Sequence, residues 1–468
     1  MTDLDLFELA RQGPIHFMGI GGAGMCALAE MLRGGGATVT GCDLQPNRAV
    51  RSLQGEGVQV WEAHADDHVA DAAALVITAA VPAGHPELAA ARKRGIPVLK
   101  RAQALAAIAN RGIVIGVAGT HGKTTTTAIT TTVLASAGRD PTGFVGGRVP
   151  AWGGNLRRGS DRLFVVEADE FDRSFLHLRP NAAVVTTLEA DHMDIYASVG
   201  EIEDAFTQYV ESVPQDGLIA ACGDDSGVGR LLPRLRAQDQ IVTYGLNAGA
   251  MLRAEEISVH DGQTHFTVRE RGDILGEGML ALPGHHNLRN AMAAVAVARW
   301  MEIGWPAIRE GLASFRGVER RFERLGEAGG VEFVDDYAHH PTELRATLEA
   351  TRHAFPRRRV VAVFQPHLYS RTRDFHGEFG DALALADLAV VTDVFPAREQ
   401  PIPGVTGALV AEAARQAGVS VDYVAERAAV PAHVADRLRT GDVCLTLGAG
   451  NLDAAAREIM ALLSEGDE

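Results

Sequence analysis

The chain has 468 residues, too many for one hydrophobic core, so two to four domains are expected. With 46% apolar and 22% charged residues it has the composition of a soluble globular protein, and its net charge of −16 argues against a nucleic-acid or anionic-membrane partner recruited by bulk electrostatics. Any anionic substrate must then be held by local basic groups. Only three of the 44 basic residues are lysines: Lys93, Lys100 and Lys123. The cysteines Cys26, Cys42, Cys222 and Cys444 are far apart and form no Cys-x-x-Cys pair, which speaks against a zinc site or a disulfide framework and for reduced thiols in the cytoplasm. The acidic start Met1-Thr2-Asp3-Leu4-Asp5 lacks a signal-peptide pattern, and no apolar run reaches about 18 residues, so no membrane insertion is expected.

The first domain is read as residues 1–109. Ile15-His16-Phe17-Met18 is a strand, Gly19-Ile20-Gly21-Gly22-Ala23-Gly24 fits G-x-G-x-x-G, and Met25 to Arg33 is a helix. The next strand, Thr38 to Asp43, ends on an acid. Together these are the dinucleotide fingerprint of a doubly wound fold: the glycines allow a diphosphate to approach, and Asp43 can accept from a ribose hydroxyl. NAD(P) and a UDP-sugar both fit. Strands at Leu75–Thr78 and Pro97–Leu99 extend the sheet, and His64 and Thr78 fall near strand ends, where ligands bind in such sheets.

The central domain, residues 110–317, opens with the strand Gly112–Ile115 and Gly116-Val117-Ala118-Gly119-Thr120-His121-Gly122-Lys123-Thr124-Thr125, followed by a Thr-rich helix. Strand, glycine turn and Lys-Thr at a helix start are the logic of a phosphate-binding loop. In such a loop Lys123 would reach the β/γ phosphates and the Thr124 hydroxyl would ligate Mg²⁺. The first glycine of the general pattern is replaced by Val117. Two further strands run into acids, Leu163–Glu167 into Ala168-Asp169-Glu170-Phe171-Asp172, and Ala182–Leu188 into Glu189-Ala190-Asp191-His192-Met193-Asp194. Glu167 and His192 are the leading Mg²⁺ ligands, while Asp172 and Asp194 are read as caps. Later, Asn287 and Asn290 lie near one face of a helix start, able to bond adenine or phosphate.

The third domain, residues 318–468, again alternates strands with helices, implying another parallel sheet. Its strands Val331–Asp336 and Arg359–Phe364 run into Tyr337-Ala338-His339-His340-Pro341-Thr342-Glu343 and Gln365-Pro366-His367-Leu368-Tyr369-Ser370-Arg371-Thr372-Arg373. Polar clusters at strand carboxyl ends mark this as a binding face.

Three α/β units with these signatures in this order resemble the Mur ligases of bacterial cell-wall synthesis, over nearly the whole chain. Gly119-Thr120-His121-Gly122-Lys123-Thr124-Thr125 is similar to that family's own phosphate loop, and Glu167-Ala168-Asp169-Glu170, His286-Asn287-Leu288-Arg289-Asn290-Ala291 and Arg320-Arg321-Phe322 are family-like too. The resemblance implies a Rossmann-like first domain, a central ATPase-like domain and a Rossmann-like third domain that closes during turnover. Within the family, the glycine-rich stretch at 19–25 and the clusters at 335–343 and 364–373 imply the member that joins L-alanine to the lactyl carboxylate of UDP-N-acetylmuramate. ATP would drive the reaction through an acyl phosphate, with two Mg²⁺ ions, in peptidoglycan precursor synthesis and hence in cell shape and division.

By resemblance, Gly19, Gly21, Gly22, Asp43, His64 and Thr78 would hold the UDP-sugar. Gly119 to Thr125, Asn287, Asn290, Arg321 and Asp336 would hold ATP, with Arg321 on the γ-phosphate and Asp336 on the ribose. Thr124, Glu167 and His192 would ligate metal; Lys123, Glu167, His192 and Arg321 would carry catalysis. His340, His367, Tyr369 and Arg371 would face the amino-acid substrate. Leu368 stands where some relatives carry arginine, and no lysine follows Lys123, which excludes the carbamylated lysine some Mur ligases use. A monomer or weak dimer is expected. The alternatives are a ligase adding a whole tripeptide to the same nucleotide, or an NAD(P) dehydrogenase using Gly19-x-Gly21-x-x-Gly24.

Overall fold

The computed structural model describes residues 4–78, 81–190, 195–260 and 262–465. The fold is three-domain α/β, with one mostly parallel sheet per domain. The chain forms two compact units, Met1–Glu255 with Thr267–Gly278 and Arg289–Phe315, and Glu256–Phe266 with Met279–Leu288 and Arg316–Glu468.

The first sheet holds β1 (Ile15–Met18), β2 (Val39–Cys42), β3 (Gln59–Trp61), β4 (Ala74–Ile77) and β5 (Val98–Lys100) in the order β3-β2-β1-β4-β5, all parallel. β1 and β4 are buried along their whole length, as expected of short strands covered on both faces. The sheet grows outward in both directions from β1 and β4, so the carboxyl end of β1 is a topological switch point, where such sheets bind ligands. The turn there needs a left-handed residue, and Gly19, at φ +72, supplies it. The following helix, Ala23–Gly34, starts two residues earlier than Met25 because Gly22 already serves as its N-cap.

The second sheet contains β6 (Ile113–Ala118), β7 (Thr142–Val149), β8 (Gly154–Arg157), β9 (Leu163–Glu167), β10 (Ala182–Val185), β11 (Leu218–Cys222), β12 (Ile241–Gly245), β13 (Leu252–His260), β14 (Gln263–Glu270) and β15 (Asp273–Leu280). Their order is β15-β14-β13-β12-β11-β10-β6-β9-β7-β8. β6 lies between β9 and β10 and parallel to both, so the carboxyl ends of all three meet. The helix Lys123–Ser136 is rich in threonine, a poor helix former. Its Thr127, Thr131 and Thr132 hydroxyls donate to the carbonyls four residues back, at 2.8, 2.8 and 2.9 Å. One apolar cluster contains Phe17 and Leu28 of the first domain together with Phe144, Leu156 and Phe164 of the second sheet.

The third sheet comprises β16 (Glu323–Ala328), β17 (Val331–Asp336), β18 (Val360–Phe364), β19 (Leu388–Val391), β20 (Ser420–Tyr423) and β21 (Val443–Leu447), ordered β16-β17-β21-β18-β19-β20. Only β16, at the edge, runs antiparallel to its neighbour. All four cysteines are free and buried. Among the described residues no helix is long and apolar enough to cross a membrane.

Gly116, in the middle of β6, leaves room for the Tyr209 ring, which stacks on Phe175 at 4.8 Å between centroids. A methyl group there would run into the Tyr209 hydroxyl. Gly116→Ala is expected to lower unfolding stability in urea by about 1–3 kcal/mol, and adding Tyr209→Phe should recover part of the loss. An additive double variant would contradict this contact.

Candidate active site

The phosphate loop is built by what flanks β6. Thr186 and Thr187, just past β10, leave the sheet to bond the loop. Thr186 N donates to Ala118 O at 3.0 Å and Thr186 Oγ1 to His121 O at 2.5 Å. Thr120 N donates to Thr187 O at 2.9 Å, and His121 N to Thr187 Oγ1 at 2.8 Å. This is why the strand expected over Ala182–Leu188 stops at Val185. Gly119 adopts φ +137 against Thr186, and Gly122 adopts φ +82 with Asn290 packed on it, where a Cβ would lie 2.5 Å from Asn290 Oδ1. Both positions exclude a side chain. The Thr120 hydroxyl accepts from Glu189 N at 2.9 Å, and His121 Nε2 lies 3.5 Å from Glu189 Oε2.

Lys123 and Thr124 open the helix and meet the acids that follow β9. Lys123 Nζ donates to both oxygens of Glu170 at 2.8 Å and to Gly119 O at 2.6 Å. Burial works against the ammonium, but the charges of Glu170 and Asp169 and the Glu170 hydrogen bonds outweigh it and push its pKa above the ordinary lysine range. Burial also raises Glu170, to about 7, opposed by Lys123. Thr124 Oγ1 lies 2.9 and 3.0 Å from the two Glu167 oxygens, and Gly146 N donates to Glu167 Oε2 at 2.6 Å. A hydroxyl and a carboxylate at a helix N-terminus are hard oxygen donors, a set that fits Mg²⁺. Thr125 follows them, buried in the helix. His192 lies outside the described residues, as does Asp194. Asp172, expected to cap, does not. At φ +54 it takes an ion pair with Lys100 at 2.6 Å, because the end of β5 reaches this segment.

The glycine-rich loop after β1 belongs to the same unit. Asp43 Oδ2 accepts from Gly21 N at 2.9 Å and Oδ1 from Gln45 N at 3.0 Å, so this acid shapes the loop. A Cβ on Gly24 would lie 3.0 Å from Arg101 Cδ. Arg101 Nη2 reaches Asp169 Oδ2 at 3.5 Å. A cavity of about 200 Å³ is lined by Gly24, Leu28, Arg101, Gly146, Glu167 and Asp169. It therefore joins the start of the Ala23–Gly34 helix to the Glu167 carboxylate. Thr78 approaches Gly19, with Thr78 Cγ2 3.6 Å from a Cβ built there. His64 turns its Nδ1 to Cys42 Sγ at 3.2 Å.

In the second unit, residues at the ends of β17 and β18 converge. Asp336 is buried; Oδ2 accepts from Phe322 N at 2.7 Å and Oδ1 from Ala338 N at 2.8 Å. Burial raises its pKa to about 6, opposed by Arg321. Arg321 lies over the Tyr337 ring at 5.1 Å and 3.8 Å from Glu343 Oε1. Its neighbours Arg320 and Phe322 have φ of +60 and +49, a strained bend that presents it. His340 caps the helix Pro341–Ala354, its Nδ1 accepting from Thr342 N at 3.4 Å. The His339 and His367 rings meet edge to face at 5.8 Å, and His367 stacks on Phe395. Burial lowers the His339 pKa. Leu368 takes φ +70, and Tyr369 opens the next helix with Arg371 buried behind it. Asn287 donates to Pro283 O at 2.9 Å in the first turn of its helix, three residues before Asn290.

Sequence reasoning missed Arg101, Thr186, Thr187, Glu170 as partner of Lys123, and Glu343. The local signal was position just past a strand end, and for Glu343 its place three residues after the helix N-cap His340.

Three models of one family match in succession: the Mur ligase family catalytic domain over 14–112, the Mur ligase middle domain over 117–298 and the Mur ligase glutamate ligase domain over 320–450. A UDP-N-acetylmuramate–L-alanine ligase of Salinibacter ruber is 45% identical over 457 residues, 97% of this chain and 96% of the relative. One from Geobacter sulfurreducens is 42% identical over 453 residues, 96% of this chain and 98% of the relative. The crystal structure of the UDP-N-acetylmuramate-alanine ligase of Thermotoga maritima matches with a TM-score of 0.83 at 27% identity, over 97% of this chain and 100% of that one. A murein peptide ligase of Psychrobacter arcticus matches with a TM-score of 0.69 at 25% identity, over 97% and 99%. On these matches the chain belongs to the Mur ligase family.

Proposed function

We propose that this Mur ligase joins L-alanine to the lactyl carboxylate of UDP-N-acetylmuramate, with ATP converted to ADP and phosphate, in peptidoglycan precursor synthesis. The observation that carries the reading is the cavity shared by the start of the Ala23–Gly34 helix, where the glycine-rich loop ends, and by Glu167 beside the phosphate loop. A nucleotide-sugar held at the first loop thereby has its acid end directed to the triphosphate. The near-full-length similarity to ligases of that name supports the same substrates. The domains in this reading are 1–109, 110–317 and 318–468.

The chemistry needs two anions, a carboxylate and a γ-phosphate, to approach each other. The chain's contribution is neutralisation and positioning. Lys123 exchanges its carboxylate partner Glu170 for phosphate oxygens, so the buried ammonium stays paired throughout. The backbone N–H groups at the helix start, 122–124, and the helix dipole are assigned to the phosphates, while those of Thr120 and His121 hold the loop to Thr187. Thr124 and Glu167 would hold a Mg²⁺, which supplies charge stabilisation at the phosphates when bound; His192 is assigned to a second ion. We assign Arg321 to the γ-phosphate, Asp336 to the ribose of ATP, and Asn287 and Asn290 to adenine and the phosphates. His340, His367, Tyr369 and Arg371 are assigned to the amino-acid substrate. Gly19, Gly21, Gly22, Asp43, His64 and Thr78 are assigned to the UDP moiety. The acyl phosphate formed is then attacked by the alanine amine.

Phosphate release measured with UDP-N-acetylmuramate and ATP is expected to depend on L-alanine, and to stay at background with the tripeptide acceptor. Release with tripeptide alone would transfer the chain to the peptide-adding reaction. Lys123→Ala combined with Glu170→Gln, which leaves no buried charge unpaired, should fold yet form no product; undiminished ligation would refute the assignment of Lys123. Asp336 gives a pH test of stability. Its folded pKa of about 6 lies above the ordinary 3.8, so the folded chain keeps a proton that the unfolded chain has lost. That contribution is complete below pH 3.8 and is lost as the pH rises to about 6. The stability difference between wild type and Asp336→Asn should therefore fall across this window; a flat difference would contradict it.

A further inference from the structure

Beneath the glycine-rich loop, side chains from separate stretches of the first domain meet out of solvent. His16 stands on β1, Cys42 closes β2, His64 and His68 follow β3, and Glu87 lies in the first turn of the helix Pro86–Lys93. Glu87 is fully buried. Its carboxylate lies 3.2 Å from Cys42 Sγ, 3.5 Å from His64 Nδ1, 4.0 Å from His16 Nε2 and 2.8 Å from His68 Nδ1, and accepts from Ala65 N at 3.0 Å. Among the described residues no lysine or arginine pairs with it. A buried carboxylate without a cation is costly. His16 has its Nδ1 2.9 Å from Thr40 Oγ1, while its Nε2 is buried, without a hydrogen-bond partner, and aimed into the cluster.

We infer that His16 Nε2, Cys42 Sγ and the Glu87 carboxylate form a three-donor site for a borderline-soft divalent cation of the zinc class. Donors at zinc bond lengths around a tetrahedral ion stand about 3.3–3.8 Å apart. Cys42 Sγ at 3.2 Å and His16 Nε2 at 4.0 Å from the same Glu87 oxygen, Oε2, stand on either side of that range. The ligand atoms of His16, Cys42 and Glu87 all lie within 4.8 Å of one another. The 2.8 Å contact of His68 is a hydrogen bond that orients the carboxylate. Thr40 does the same for His16: a proton on Nδ1 donated to its hydroxyl leaves the Nε2 lone pair inward.

Charge favours the ion as well. One thiolate and one carboxylate balance two positive charges, so the loaded cluster is neutral. Binding breaks the Cys42 S–H bond and releases that proton to water. Burial and the neighbouring Glu87 keep the thiol protonated otherwise. The site ties the end of β2 to the substrate loop, because Cys42 O accepts from Gly19 N at 2.8 Å and Ile20 N at 3.2 Å. Cysteine spacing hid the site, since its donors are spread from residue 16 to residue 87 and only one is a cysteine.

The test uses the full-length chain without an affinity tag, dialysed against Zn²⁺ or Co²⁺ with excess Mg²⁺ to cover the hard oxygen site. One zinc ion per chain should be retained by elemental analysis, and the Co²⁺ form should show a thiolate-to-metal charge-transfer band. Cys42→Ser should lose the band, Thr40→Val should weaken binding by about 10- to 100-fold, and Glu167→Gln should change neither. No retained metal, a Co²⁺ adduct without the thiolate band, or a band that survives Cys42→Ser would overturn the site. If Cys42→Ser does not fold, Thr40→Val decides: unchanged metal affinity overturns the proposal.

Discussion

The ion pair of Lys123 with Glu170 is the constraint around which the central site is arranged. Both groups are buried, and both Glu170 oxygens lie 2.8 Å from the ammonium. A pair of this kind contributes little net stability, yet breaking it is expensive because one charge is left without a partner. The loop is thus held with its lysine charged at the helix start. Strand order makes this possible: β6 between β9 and β10 brings Glu167 and Glu170 from one side and Thr186 and Thr187 from the other. No single one of these segments could form the site alone.

That dependence explains what was legible in the sequence. Lys123, Thr124 and Glu167 could be read because each stands at a strand end or a helix start, where local pattern reports position. Gly19 could be read because the turn after β1 demands a left-handed residue. Glu170 could be read as an acid near the site but not as the partner of Lys123, because the pairing is set by tertiary geometry. Arg101 carries no motif at all; it comes into the cavity because Gly24 has no side chain to exclude it. Asp172 was misread as a cap because helix-start statistics cannot anticipate a lysine arriving from β5.

The third sheet uses a different device. Arg320 and Phe322 adopt left-handed backbone on either side of Arg321, an arrangement that costs free energy and persists only when surroundings enforce it. Here the enforcement is visible. Arg320 donates to Asp335, Gly448 O and Gly450 O, and Phe322 N donates to Asp336. Two adjacent aspartates at the end of β17 therefore lock the bend from opposite sides of Arg321. Sequence showed the Asp335-Asp336 pair and the Arg320-Arg321 pair but not that each serves the other.

The apolar cluster common to the first and second sheets has a consequence for how such chains can be recombined. Phe17 and Leu28 are packed in one body with Phe144, Leu156 and Phe164, so residues 1–109 are not a detachable cassette. A chimaera that exchanged this segment alone would bare Phe144 and Leu156 to solvent or to a mismatched surface. New nucleotide-sugar specificity is more accessible by altering the loops at the strand ends, or by moving β7 and β8 together with the segment they cover.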